Sequence, residues 1–243
     1  MKSLIPRHLK LQLPHSSQAF FSYSSSSASS SSCCRSLTED ELAKINLLLP
    51  RLCLSDDLKT ATRLATAALL TNPPPKSLSL SPLLLFLASL PNDTSLPMSL
   101  LTRLRHSPPS HHRHVVPIAT ALASSYFRAA NPKQAFKLFN WLVRPGSPFV
   151  LDRTFCGVLV NGLCRNGMLL ESLKVLRAMV ASSNGGNRCE ESFGRLICRG
   201  FLREARVWEA VELSQALDYH HHRDEDDNKV LLVLDRIIQN WTD

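Results

Sequence analysis

The chain has 243 residues, of which 44% are hydrophobic, 28 are Lys or Arg and 20 are Asp or Glu, so its formal net charge is +8. This hydrophobic content is enough for a core and excludes a chain that is disordered throughout. The longest apolar run, residues 78–90, contains a proline and is shorter than the roughly 20 residues that span a bilayer, so the sequence predicts a soluble protein.

Residues 1–38 have the composition of an organellar transit peptide. They contain Lys2, Arg7, Lys10 and Arg35 but no acidic residue, and Ser makes up 12 of the 21 residues in "SSQAFFSYSSSSASSSSCCRS". The segment also lacks the long apolar region of a secretory signal. We therefore expect import into the mitochondrion or, as the alternative, the plastid, and we leave this segment out of the fold prediction. A merely disordered Ser-rich leader is the other interpretation.

The seven cysteines form neither a CxxC pair nor a regularly spaced set. Four of them, Cys53, Cys156, Cys164 and Cys198, lie within helical, apolar-rich patterns. Cysteines in such surroundings behave as small hydrophobic residues, so we expect buried, reduced thiols and no disulfide framework.

Three clusters of potential metal ligands lack the arrangement of a metal site. The segments "HHRH" (111–114) and "HHH" (220–222) have no Cys or acidic partner at ligand spacing, so we interpret both as unordered surface. The four consecutive acids of "DEDD" (224–227) cannot converge on one metal, and we interpret them as a solubilising loop and a helix N-terminus. The sequence also has no Gly-rich phosphate loop, nucleophile elbow or paired carboxylates, which predicts a protein without catalytic residues, metal or cofactor.

A period of 37 or 38 residues runs through the chain. Its anchor positions are Ala61, Met98, Ala135, Ser172 and Ala210, separated by 37, 37, 37 and 38 residues. The positions three residues after the anchors are Leu64, Leu101, Leu138, Val175 and Leu213. The positions thirteen residues before the anchors are Leu48, Leu85, Leu122, Leu159 and Ile197. Small or turn-forming residues stand between the two aliphatic columns, at Asp56, Asp93, Ala130, Gly167 and Ala205. The pattern predicts five copies of a helix–turn–helix.

A single helical hairpin cannot bury both of its apolar faces, so neighbouring copies must stack. We therefore predict an all-α fold, an α-solenoid of about five helix-turn-helix repeats with a C-terminal capping helix. The segments "TNPPPKS" (71–77) and "PNDTSLP" (91–97) are rich in turn-forming residues and are predicted as loops between hairpins.

The end of the chain predicts the capping helix, because Val230, Leu234, Ile237 and Trp241 share one helical face. The whole organisation is then a leader over 1–38, two degenerate repeats over 39–112, three well-marked repeats over 113–217, a polar linker over 218–228 and the cap over 229–243.

The fourth copy carries the most specific motif. Its sequence "TFCGVLVNGLCRNGMLLESLKVLRAM" (154–179) resembles a pentatricopeptide repeat, whose first helix typically ends in Asn-Gly-Leu-Cys-Lys-x-Gly and whose second carries Glu-Ala-Leu-x-Leu-Phe-x-x-Met. The matching residues are Asn161, Gly162, Leu163, Cys164, Arg165, Gly167, Glu171, Leu173, Leu176 and Met179. The similarity extends over 118–217 and weakens over 40–112. The competing tetratricopeptide pattern requires a Trp-x-x-Leu-Gly-x-x-Tyr first helix, which is missing.

The resemblance, to a short plant-type organellar member of the family, implies a non-enzymatic protein that binds single-stranded RNA. About one base is read per repeat, by a residue early in the first helix together with the last residue of the repeat. Carried over by position, the base-reading candidates are Thr120 with Asp152 and Gly157 with Asn187. The spacing exceeds the family's usual 35 residues, and one extra residue in the fourth copy makes Cys156 an equal candidate to Gly157.

Independently of the resemblance, a basic face is predicted on the first helix of the fifth copy. Arg195, Arg199 and Arg203 stand at i, i+4 and i+8, and Arg128 and Arg165 extend the face along earlier copies. Stacked first helices line the concave side of a solenoid, so these arginines are the candidates for contacts to RNA phosphates. An ordinary solvated basic face is the alternative.

Two functions follow from the sequence. The first is RNA binding in organellar RNA metabolism, with organellar transcripts as the partner and no membrane partner. The second is a helical-repeat adaptor that binds RNA-processing or ribosomal proteins in an organellar ribonucleoprotein assembly. The adaptor is favoured by the nearly balanced charge of residues 39–243, which carry 24 Lys or Arg against 20 Asp or Glu.

Overall fold

The computed structural model describes residues 36–75, 77–90, 93–182, 191–220 and 227–242. Within these residues the chain forms helices and no strand, so the predicted all-α class is confirmed. The helices are α1 (Glu39–Leu54), α2 (Leu58–Leu69), α3 (Ser81–Ser89), α4 (Ser95–Arg105), α5 (Pro109–His112), α6 (Val115–Arg128), α7 (Pro132–Leu142), α8 (Arg153–Arg165), α9 (Leu169–Ser182), α10 (Glu191–Arg203), α11 (Val207–His220) and α12 (Asp227–Thr242). Residues 1–35 of the predicted leader lie outside the described residues.

Ten of these helices pair into five hairpins. The pairs are α1 with α2, α3 with α4, α6 with α7, α8 with α9 and α10 with α11, and we number them hairpins 1 to 5. The second helices begin at Leu58, Ser95, Pro132, Leu169 and Val207, which reproduces the predicted steps of 37, 37, 37 and 38 residues. The predicted number and spacing of repeats are therefore confirmed.

The first helices of the hairpins form one continuous layer. Each of α1, α3, α6 and α8 packs against the first helix of the next hairpin, ending at α10. The main hydrophobic core runs from Leu69 to Ile237, and a smaller cluster between Leu49 and Leu87 holds hairpins 1 and 2 together. Hairpins stacked in sequence order with a shared core form the predicted α-solenoid.

Four of the five hairpins contain the same tight turn. Asp56, Ala130, Gly167 and Ala205 have φ of 61°, 54°, 70° and 58°, in the left-handed region. In each turn the next backbone N–H donates to the carbonyl five residues earlier, at 2.8 to 3.0 Å, and the left-handed residue donates to the carbonyl three residues earlier. This is the Schellman motif, which satisfies the last carbonyls of the first helix. The predicted turn column is confirmed at these four positions.

Hairpin 2 lacks this turn. Helix α3 has only nine residues, and its C-cap Leu90 is extended. The Asp93 carboxylate accepts a hydrogen bond from the Ser95 N–H at 2.8 Å. Asp93 does lie in the connection between the two helices, as predicted, but this connection has five residues, 90–94, where the other four hairpins have three. The segment "PNDTSLP" was predicted as a loop between hairpins, which is wrong, because it falls within hairpin 2 and its last three residues begin α4.

The first aliphatic column is buried only in the last three hairpins. Leu122, Leu159 and Ile197 are fully buried, whereas Leu48 and Leu85 are 44% and 47% exposed. Leu85 is exposed because hairpin 2 lacks the common turn, so that other leucines of α3 face the core. Leu48 keeps the position of Leu122 relative to its turn, but α1 is the first helix of the described solenoid and has no hairpin packed on that side.

Helix α12 packs against α9 and α11. Val230, Leu234 and Ile237 are buried, which confirms the predicted apolar face. The guanidinium of Arg177 on α9 pairs with the Asp235 carboxylate, with 3.0 Å between Nη2 and Oδ2. The helix thus covers the outer side of the last two hairpins, between their second helices. The domain boundaries predicted at residues 113, 218 and 229 stay predictions.

The segment "HHRH" is ordered, contrary to the prediction. His111 is 4% exposed, with Nε2 at 3.2 Å from the Thr71 carbonyl oxygen, and it ties α5 to the end of α2. His112 lies edge-on to the Phe149 ring, with centroids 5.5 Å apart. These histidines fill the junction between hairpins 2 and 3. Of the "HHH" segment, His220 ends α11 and residues 221–222 lie outside the described residues, as do residues 224–226 of "DEDD", whereas Asp227 begins α12.

The four cysteines in the described residues are thiols and not half-cystines. Cys53 and Cys156 are buried, whereas Cys164 and Cys198 are partly buried. Burial raises the pKa of the Cys156 thiol to about 12, so it stays protonated at neutral pH and packs as a small hydrophobic group. None of the helices in the described residues combines the length and apolar character needed to cross a bilayer.

Candidate nucleic-acid interface

Three of the predicted arginines occupy the same place in successive hairpins. Arg128, Arg165 and Arg203 are the last residues of α6, α8 and α10, and all three are exposed. Because these helices lie side by side, the three side chains form a row across the layer of first helices. Each also lies at a helix C-terminus, where the partial negative charge of the helix favours a cation. We call these residues the arginine row.

The remaining arginines lie along one helix. Arg195 and Arg199 are exposed on α10, two turns and one turn before Arg203, as the sequence predicted. Their counterparts in the preceding hairpin are Gly157 and Asn161, so this line does not continue onto α8. The arginines predicted to contact phosphates therefore form a row across three first helices and a line along the last of these helices, α10.

The sequence did not lead us to predict that the members of the arginine row occupy equivalent positions, although their spacing is that of the repeats. The residues are 37 and 38 positions apart, the spacing of the second-helix starts. A second missed signal is the charge of the middle of the chain. Between Asp93 and Asp152 there is no acidic residue, and this stretch carries seven Lys or Arg residues. Hairpin 3 and its flanks are thus the most uniformly basic part of the described solenoid.

Thr120 and Gly157 occupy equivalent places on α6 and α8. Thr120 is half-buried, and its hydroxyl donates to the Val116 carbonyl at 2.8 Å, which leaves its lone pairs to accept a further hydrogen bond. Gly157 lies against the Phe193 ring, and an added Cβ would approach the ring carbons to 3.2 Å. A side chain in hairpin 4 would therefore compete with Phe193 for space.

Cys156 is removed as a base-reading candidate. Its side chain is fully buried within α8, so it cannot contact a base on the surface of the layer. Of the two adjacent positions only Gly157 is partly exposed, so it stays the predicted base-reading position of hairpin 4. Asp152 is exposed at the N-cap of α8, and its side chain makes no capping hydrogen bond, so the carboxylate faces solvent. Asn187 lies outside the described residues.

The motif of hairpin 4 has direct structural roles. A Cβ on Gly162 would collide with the Phe127 ring of the preceding first helix, so glycine allows the two helices to approach closely. Leu163 is fully buried, and Gly167 adopts the left-handed turn conformation. These residues of the motif therefore serve the packing between neighbouring hairpins and the turn between the two helices of a hairpin.

Across the residues that the structure describes, no group of three or more His, Cys, Asp or Glu side chains is placed to hold a metal ion. Comparison with known families identifies hairpin 4. The family model described as PPR repeat, the pentatricopeptide repeat, matches residues 155–183, which span α8 from Phe155 and the whole of α9. A search of curated proteins finds no match. The predicted resemblance is confirmed by the repeat model over the segment that carries its motif.

Proposed function

The chain is a protein with a pentatricopeptide repeat, and we propose that it binds single-stranded RNA along its layer of first helices and catalyses no reaction itself. The arginine row carries this proposal. Arg128, Arg165 and Arg203 repeat once per hairpin, so they suit a ligand with one negative charge at each repeated interval. A strand of RNA presents phosphates in this way, and cationic side chains that neutralise them release bound counterions.

The base-reading side chains support weak selectivity. Thr120 offers a hydroxyl and Asp152 a carboxylate, which are groups that bind base edges, and they belong to the same repeat in the family pattern. Gly157 offers no side chain in hairpin 4. We therefore propose that hairpin 3 selects a base and that hairpin 4 contributes mainly backbone contacts.

An equilibrium binding measurement tests the proposal. The full chain and the triple variant Arg128→Gln, Arg165→Gln, Arg203→Gln would be titrated into a labelled pool of single-stranded RNA at several salt concentrations. Each lost phosphate contact lowers the slope of log affinity against log salt by about 0.7, so the triple variant should lose about 2 from that slope.

A matched control removes the same charge from the other layer. Arg63, Arg103 and Arg144 are exposed on α2, on α4 and just after α7, and changing all three to Gln leaves the first helices intact. This variant should bind more tightly than the arginine-row variant. Equal weakening by both triples, or no binding by the unaltered chain at low salt, would reject the proposed interface.

The organelle is proposed from the leader alone. Residues 1–38 are basic, Ser-rich and free of acids, so we propose import into the mitochondrion, with the plastid as the alternative. A fluorescent protein fused after residue 243 of the full chain reports the compartment directly. Diffuse cytosolic fluorescence would contradict import.

A protein-binding adaptor is the second candidate function, and one pocket favours it. A cavity of about 270 Å³ between α4 and α7 is lined by Met98, Tyr126, Lys137 and Trp141, among others. The side-chain oxygen of Gln134 is buried there without a hydrogen-bond partner, and a peptide N–H would satisfy it. Affinity capture from organelles with and without ribonuclease separates the two functions, because direct protein partners survive the treatment.

A further inference from the structure

Adjacent hairpins of the solenoid contact each other where a large apolar side chain of one hairpin packs against a glycine in the first helix of the next. Phe127, near the end of α6, packs against Gly162 of α8, and Leu169, at the start of α9, packs against Gly200 of α10. In both contacts there is no room for a Cβ on the glycine. The end of one first helix and the start of one second helix are therefore covered by the first helix of the following hairpin.

The same positions are exposed in hairpin 5. Leu202 corresponds to Phe127 and is 55% exposed, and Val207 corresponds to Leu169 and is 57% exposed. Trp208 beside them is 78% exposed, and Val211 is 43% exposed. We call these four residues the C-terminal edge. Helix α12 lies against α9 and α11 and leaves the edge exposed.

Apolar side chains are also exposed at the other end of the described solenoid, on the first helix of hairpin 1. Leu48 has the position of Leu122, Leu159 and Ile197, which are fully buried, but it is 44% exposed, and its neighbour Leu47 is 56% exposed. We call Leu47 and Leu48 the N-terminal edge. One chain thus presents both surfaces of its own repeat-to-repeat interface, one at each end of the solenoid.

We propose that copies of this chain associate head to tail, with the C-terminal edge of one copy packed on the N-terminal edge of the next. The two edges are complementary because they continue an interface that the chain already forms between its hairpins. Such a contact joins two different surfaces, so it leaves one free edge at each end of a dimer. Burial of four large apolar side chains, including Trp208, supplies the driving force.

The side chains at the junction fit this arrangement. Arg51 of α1 stands where α8 and α10 carry Gly162 and Gly200, so in the associated state it faces the C-terminal edge. That edge has Leu202 and Val207, which are smaller than the Phe127 and Leu169 of the internal contacts and leave space for the longer side chain. Glu204, exposed in the turn between α10 and α11, supplies a carboxylate for the Arg51 guanidinium.

Sedimentation velocity of the full chain over a wide concentration range tests the proposal. Association should be concentration-dependent in the unaltered chain. Trp208→Glu and Leu48→Glu should each raise the dissociation constant by about thirtyfold or more, because a charge replaces an apolar anchor at the centre of the contact. Leu232→Glu on α12 is the matched control, since Leu232 is 70% exposed and belongs to neither edge. It should associate like the unaltered chain.

Mixing the two edge variants gives the decisive measurement. Trp208→Glu keeps an intact N-terminal edge and Leu48→Glu keeps an intact C-terminal edge, so each alone should be monomeric while an equimolar mixture forms a dimer that grows no further. A chain that stays monomeric at every concentration overturns the proposal. So does a mixture that fails to dimerise, or association that only one of the two variants abolishes. Because all substituted residues are exposed, circular dichroism should show unchanged helix content.

Discussion

Hairpins 3 to 5 and hairpins 1 and 2 use the same period but differ in how strictly they keep it. The last three share the left-handed turn, a fully buried residue in the first aliphatic column and a terminal arginine on the first helix. Hairpin 1 keeps the turn but ends its first helix with Leu54, and hairpin 2 loses the turn altogether. In hairpin 2 the buried column and the turn are lost together, whereas in hairpin 1 the turn is kept and Leu48 is still exposed, so burial of this column needs both the turn and a neighbouring hairpin.

The largest expected effect comes from removing the residue that anchors this turn. Phe201 in hairpin 5 and Leu52 in hairpin 1 occupy the same position and accept the same backbone hydrogen bond, but Phe201 is fully buried whereas Leu52 is only partly buried. Phe201→Ala should lower the free energy of unfolding by about 4 kcal/mol, through lost contacts and the cavity left beside Trp241. Leu52→Ala should cost about 1 to 2 kcal/mol, since part of its surface already contacts water.

Urea denaturation followed by circular dichroism measures both changes. The control is Leu232→Ala, which removes an equally large apolar side chain from an exposed site and should change stability by less than about 0.5 kcal/mol. Equal losses for Phe201→Ala and Leu52→Ala would show that the two ends of the solenoid are packed alike, contrary to the comparison.

Substitutions of the left-handed turn residue should raise the stability of the chain at some turns and lower it at another. Ala130 and Ala205 adopt a left-handed conformation that costs a residue with a Cβ roughly 1 to 2 kcal/mol, and glycine adopts it freely. Ala130→Gly and Ala205→Gly should therefore each stabilise the chain by about 1 kcal/mol, and Gly167→Ala should destabilise it by a similar amount. Thermal unfolding monitored at a helix signal provides the measurement.

Asp93 is the matched control for these substitutions. It was predicted for the same column but lies outside the left-handed turns, so Asp93→Gly should bring no stabilisation and should remove the hydrogen bond to the Ser95 N–H. Stabilisation by Asp93→Gly would mean that hairpin 2 adopts the common turn in solution.

The sequence predicts features set by local spacing and fails where a neighbour decides the outcome. All five predicted turn residues lie between paired helices, because small or turn-forming residues recur at one place in the period, and four of them adopt the left-handed conformation. The period places Leu48 in the same column as Leu122 but cannot show whether another helix packs over it, and Leu48 is 44% exposed. Cys156 and Gly157 are adjacent and indistinguishable in the pattern, and only the direction of each residue from the α8 axis separates them. The histidines of "HHRH" are misjudged because their partners, such as Thr71, are distant in sequence.

The smallest expected effect concerns how α12 is held on the last two hairpins, a contact without a counterpart at the other end. The hydrogen bond from Arg177 holds the pKa of the Asp235 carboxyl below its ordinary value of 3.8. A lowered pKa means that the carboxylate stabilises the folded chain at neutral pH and that this contribution is lost as the pH falls through the folded-state pKa. Both side chains are nearly half exposed, so Asp235→Asn should cost less than about 1 kcal/mol at pH 7.

The difference in the free energy of unfolding between the unaltered chain and Asp235→Asn should vanish once the pH is well below 3.8, where the carboxyl is neutral in both folded and unfolded states. Denaturation curves of both proteins at neutral and acidic pH measure it, and a difference that persists in acid would show that Asp235 acts through packing and not through its charge.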